Sequence, residues 1–143
     1  MSMGRFWTAF LILGIVGVVV MFFVAGESST TAGSRFMAAL SQRDLKTLAD
    51  MTYVEGKSPE QIKAEWKSCL DANEYYRFTY NVVGADTPKE GEAMVRITLQ
   101  KNVTSSSYDE NYTLKMFKKP DGWKVDVANL NRDLYPWLPH WSR

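Results

Sequence analysis

The sequence has little with which to do covalent or metal chemistry. It holds one cysteine, Cys69, and one histidine, His140, in 143 residues. A single thiol cannot close an internal disulfide, so any folded body must stand on its apolar core. One histidine without a second cysteine excludes the Cys/His clusters that hold zinc. Charge of one sign is also lacking: 17 Lys and Arg face 16 Asp and Glu. Lys118-Lys119 is the only basic doublet, so the basic patch of a nucleic-acid binder is missing. There is no glycine-rich phosphate loop and no Gly-x-Ser-x-Gly elbow. The reading is of a non-enzyme with no catalytic, cofactor or metal residues to name.

The carboxylates fit that reading. Asp44 reads as a helix cap. Asp126 alternates with Val125 and Val127, which places it on the face opposite the apolar one. Glu65, beside Trp66, falls on the exposed side of its helix, and Asp109-Glu110 lies near a turn. None is paired with a second titratable group on an apolar face, the arrangement that tunes a pKa for catalysis. Cys69, between Trp66 and Leu70, reads as a small buried hydrophobe.

What is present begins with one long apolar run. Residues 6–25 (FWTAFLILGIVGVVVMFFVA) carry no charge and no proline. A helix needs about 20 apolar residues to cross the hydrocarbon core. Phe6, Trp7, Phe10, Leu11, Leu13, Phe22 and Phe23 are its candidate membrane contacts. Arg5 precedes the run and Glu27 follows it, which holds the N-terminus in the cytoplasm and carries the rest across the inner (plasma) membrane. A cleaved signal peptide is the competing reading, but its apolar core usually spans only about 7–15 residues. The expected division is a cytoplasmic stub and anchor over 1–26, a tether over 27–33, a folded domain over 34–128, and a tail over 129–143.

The domain changes period midway. Phe36, Met37 and Leu40, then Leu45, Leu48 and Met51, recur at helical spacing, with Asp44 placed to cap a second helix. Ser58-Pro59-Glu60-Gln61 is a capping box with proline at the first helical position. It opens a helix whose apolar stripe is Ile62, Trp66, Cys69 and Leu70. From Tyr75 the period becomes two. Strands are expected over 75–83, 93–103, 108–118 and 123–127, with turns at 86–91 and 119–122. Val95, Ile97, Leu99, Tyr112, Leu114, Met116, Trp123, Val125 and Val127 should face inward. This predicts an α+β fold: a curved antiparallel sheet packed on two or three N-terminal helices.

The string Phe36-Met37-Ala38-Ala39-Leu40-Ser41-Gln42-Arg43-Asp44-Leu45, the second capped helix, and the ending Asp121-Gly122-Trp123-Lys124-Val125 resemble nuclear transport factor 2-like domains over residues 31–127. The resemblance implies a cone-like sheet around helices, as in small membrane-anchored bacterial members. It also implies a pocket in the cone, for which Trp66, Tyr80 and Trp123 are the candidate lining aromatics. Enzymes of the superfamily place an Asp or His base there.

The tail carries Leu134, Tyr135, Trp137, Leu138 and Trp141 between two prolines, and ends at Arg143. Such a segment is costly to leave in water. Its own domain, a partner protein, or the membrane interface would each cover it. The function expected is a non-catalytic accessory or assembly subunit of a larger membrane complex. Its partners would be the bilayer and other subunits, with no nucleic acid. A small-molecule- or lipid-binding extracytoplasmic domain is the alternative, and a small hydrolase or isomerase a third reading.

Overall fold

The computed structural model describes residues 26–103 and 106–141. The apolar run with its candidate anchor residues lies outside the described residues, as does Arg143. Among the described residues no helix is long and apolar enough to cross a membrane.

Helix α1 (Ser29–Gln42) starts where the Ser28 side chain accepts from the Thr31 amide at 3.1 Å. The stretch expected as a tether is therefore mostly the first turns of this helix. Serine and threonine are indifferent helix formers, but packing overrides propensity here. Ala32 and Gly33 are buried. A Cβ on Gly33 would meet the Val95 side chain at 2.8 Å, so only glycine lets α1 approach the sheet this closely.

Arg43 ends α1 in a left-handed conformation, φ 55°, and Asp44 caps α2 (Leu45–Met51) through the Thr47 amide. The chain then forms a two-residue strand, β1 (Thr52–Tyr53). Helix α3 (Pro59–Ala72) has the expected capping box in full.

Four longer strands follow: β2 (Phe78–Asp86), β3 (Glu92–Val103), β4 (Ser106–Lys119) and β5 (Gly122–Asp126). The sheet order is β1-β5-β4-β3-β2. The long strands pair antiparallel, but β1 runs parallel to β5, so the sheet is mixed, not wholly antiparallel. A two-residue strand shows no periodicity, which is why the sequence pattern gave no sign of it. A bulge between Val82 and Gly84 turns Val83 outward.

The inner face is as the alternation predicts. Val95, Ile97 and Leu99, then Leu114 and Met116, then Val125, are buried against Phe36, Met37, Leu40, Leu48, Met51 and Trp66. Asp126 departs from the expectation. It is buried, because β5 ends there and the chain bends into a 3-10 turn whose Asn129 amide returns to the Asp126 carboxylate. Glu65 also departs from its expected exposure. It is half-buried and paired with Lys57, and its second oxygen is enclosed with no partner among the described residues.

Candidate functional site

The C-terminal segment decides what the interior of the fold can hold. Leu130, Leu134, Tyr135, Leu138 and Trp141 are all buried, and they complete the same core as the helices and sheet. The Tyr135 ring stands edge-on to Tyr76 at 5.4 Å and to Phe78 at 6.1 Å. Trp141 lies 5.1 Å from Trp66. Of the three covers open to the tail, its own domain is the one that takes Leu134, Tyr135, Leu138 and Trp141.

Polar clasps fix the tail in place. Asn73 Nδ2 donates to the Pro136 carbonyl at 2.7 Å and to the Cys69 carbonyl at 2.8 Å. Arg132 donates to the carbonyls of Leu138 at 2.8 Å and Pro139 at 3.2 Å. Lys101 donates to the Asp133 carbonyl at 2.6 Å and pairs with Glu110 at 2.9 Å. The Tyr112 hydroxyl donates to the same Glu110 carboxylate, with the Asp133 carbonyl 3.1 Å away. His140 is exposed, its Nε2 3.3 Å from Arg132.

The Lys101–Glu110–Tyr112 cluster lines an open cleft of about 620 Å³. Hydrogen bonds from Tyr112 and then Lys101 lower the Glu110 pKa. Desolvation works against the Lys101 ammonium, but its bond to Glu110, its charge interaction with Tyr76 and its bond to Tyr112 together outweigh that and raise it. Burial, then Glu110, pushes Tyr112 up to about 12. Each group is held more firmly in its ordinary neutral-pH form. General acid–base catalysis needs the opposite tuning, toward a pKa near the working pH.

The three aromatics expected to line a pocket do not meet in one cavity. Trp66 is fully buried, and its Nε1 donates to Thr52 Oγ1 at 2.7 Å, which in turn donates to the Leu48 carbonyl at 2.6 Å. Trp123 borders an open cleft of about 840 Å³ beside the start of α1, while Tyr80 borders a different, shallow one. In the larger cleft the cations are paired: Arg35 binds Glu27 through two nitrogens at 3.0 and 2.9 Å, and Lys124 meets Asp121 at 3.0 Å. No group of three or more metal-ligating side chains occurs among the described residues.

Among the tail's leucines and large aromatics that the structure describes, one stays outside. Trp137 is 75% exposed and adopts φ 59°, between buried Tyr135 and Leu138. Tyr75 is also exposed. The Asn73–Pro136 bond brings their two segments together at one end of the body. The sequence showed that Trp137 is aromatic and proline-flanked, but not that it would escape burial while Tyr135, Leu138 and Trp141 do not.

No known protein family matches the chain, and no curated protein matches it. Among solved structures, it is similar to a ketosteroid isomerase-like protein from Erwinia carotovora atroseptica, with 11% identity and a TM-score of 0.46, covering 66% of this chain and 85% of that one. It is also similar to an NTF-2 like protein of unknown function from Shewanella oneidensis, with 16% identity and a TM-score of 0.45, covering 66% and 88%. At these identities residue roles do not transfer.

Proposed function

We propose that the chain is a non-catalytic accessory subunit of a membrane complex, held by residues 6–25 as a single span in the inner membrane. Its folded body lies on the extracytoplasmic side and meets a partner protein through Trp137 and Tyr75. One observation carries the reading. The tail uses Leu134, Tyr135, Leu138 and Trp141 to fill its own interior, yet holds Trp137 in water. Tryptophan and tyrosine are the residues that most often anchor interfaces. A bulky residue at positive φ is uncommon and costs on the order of 1 kcal/mol or more, which persists where surrounding structure imposes it.

Placement favours a protein over lipid as the occupant of this end. Tyr108 pairs with Lys101 near the tail clasp, and Lys118 pairs with Trp123 near Glu27. These positions are ten residues apart along β4, roughly 33 Å of extended strand. Trp137 therefore lies at the opposite end of the sheet from the point where residues 1–25 join the body.

The test is co-purification of the intact chain in mild detergent, beside a Trp137→Ala variant. The wild type should elute with a defined partner, and the variant should lose it while keeping its fold. A wild-type chain that elutes alone would overturn the reading.

A further inference from the structure

The end of the body nearest residue 26 carries a feature the proposed function does not use. Three lysines crowd one hairpin there, each over an aromatic ring. Lys119 Nζ lies 4.3 Å from the Tyr53 ring centroid and 5.7 Å from that of Phe117. Lys115 lies 5.3 Å from Phe117, and Lys118 5.9 Å from Trp123. None of the three forms an ion pair among the described residues. The acids nearby are Asp121, taken by Lys124, Glu92, opposite Phe117 on β3, and Glu90 in the turn whose Gly91 carbonyl accepts from the Lys118 amide.

Exposed lysines on a strand are ordinary, so number alone decides nothing. Position decides here. The Trp123 indole donates to the Glu27 carbonyl at 3.0 Å, and Arg35 grips the Glu27 carboxylate. Glu27 is thereby fixed to this hairpin, and the uncharged run ends two residues before it, at Ala25. A span leaving the bilayer at Ala25 has almost no slack. The β4–β5 hairpin must then lie at headgroup level, where aromatic rings and lysines are both favoured.

We propose that Tyr53 and Phe117, with Lys115, Lys118 and Lys119, form a lipid-facing rim that rests on anionic headgroup phosphates, while buried Trp123 ties Glu27 to the hairpin from the inner face. The rim sets the tilt of the body on the membrane. The inference rests on the anchored reading above. It deepens that reading by assigning the membrane-facing surface to the β4–β5 hairpin, and it places the aromatic tail away from the bilayer.

The test uses the full chain in nanodiscs of phosphatidylcholine alone, or with phosphatidylglycerol as the minority lipid. Lysine acylation by a water-soluble reagent is read residue by residue by mass spectrometry, with exposed Lys67 on α3 as internal reference. In the anionic discs Lys115, Lys118 and Lys119 should react about fivefold more slowly relative to Lys67, the factor given by an attraction of about 1 kcal/mol per lysine. Raising the salt should restore their rates. Equal rates in the two kinds of disc would overturn the rim while leaving the anchor standing. A chain that does not enter the discs at all would overturn the anchored reading, and the rim with it.

Discussion

The two ends of the sheet spend their aromatic side chains in opposite ways. At the tail end, Tyr76, Phe78 and Tyr135 form one set of ring contacts and Trp66 and Trp141 another, and the aromatics left outside are Trp137, Tyr75 and Tyr108. At the end near residue 26, the rings of Tyr53 and Phe117 meet edge-on at 5.7 Å near the surface, and lysines cover them. The first arrangement stabilises the body by excluding water. The second keeps charge and aromatic surface available to something outside. Aromatic content alone did not separate the two uses; the strand register and the fold of the tail did.

The contrast breaks hardest at Tyr135, which is 1% exposed. Tyr135→Ala should cost about 3–5 kcal/mol, the usual loss for truncating a buried aromatic. That is a large share of the roughly 5–15 kcal/mol that holds a domain together. Denaturant unfolding checks it. Phe117→Ala at the other end should cost clearly less, since its ring is only half-buried.

High pH should loosen the tail end selectively. Burial pushes Cys69 from 9.0 up to about 11, and Tyr135 and Tyr112 from 10.0 up to about 12. Burial also raises Tyr76. These folded-state values lie above the unfolded ones, so the stability they reflect is complete below the unfolded pKa. It is lost as pH rises through the folded pKa, because the unfolded chain deprotonates first. Stability should therefore fall between about pH 9 and 12. Amide exchange in residues 130–141 should rise before exchange in β5.

A smaller loss is expected at the clasp. Asn73→Ala removes the bonds to Pro136 and Cys69 and leaves both carbonyls to find other partners, at about 1–3 kcal/mol. Chemical denaturation reads it directly. The smallest effect on stability belongs to Trp137→Ala, within about 0.5 kcal/mol of wild type, as for other exposed positions. A thermal melt checks it, and the same variant is the one expected to lose the partner.

Much of this fold was legible because its signals are local. Ser58-Pro59-Glu60-Gln61 writes the start of α3, Asp44 the start of α2, and the alternation through Val95, Ile97 and Leu99 the buried face of β3. What failed depended on contacts distant in sequence. The Ser-Ser-Thr-Thr stretch is helical because Gly33 packs on Val95, sixty-two positions away in numbering. Asp126 is buried because β5 ends in a turn that period-two extrapolation runs straight through. The tail's apolar content showed that something must cover it, but composition cannot distinguish a self-made cover from a foreign one. The candidate pocket is not seen for the same reason: Trp66, Tyr80 and Trp123 are aromatic on separate elements, and only the packing puts Trp66 in the core, Trp123 beside the larger cleft and Tyr80 beside a shallow one.

The proposed placement of the body on the membrane is most directly tested by depth. Lys119→Cys and Trp137→Cys, each spin-labelled in the full chain and reconstituted in anionic nanodiscs, report their distance from the phosphate level by electron paramagnetic resonance. The label at 119 should sit among the headgroups, and the label at 137 on the order of 30 Å out in water, the length of strand between the two ends. A label at 137 in the headgroup layer, or both labels far from it, would contradict the arrangement.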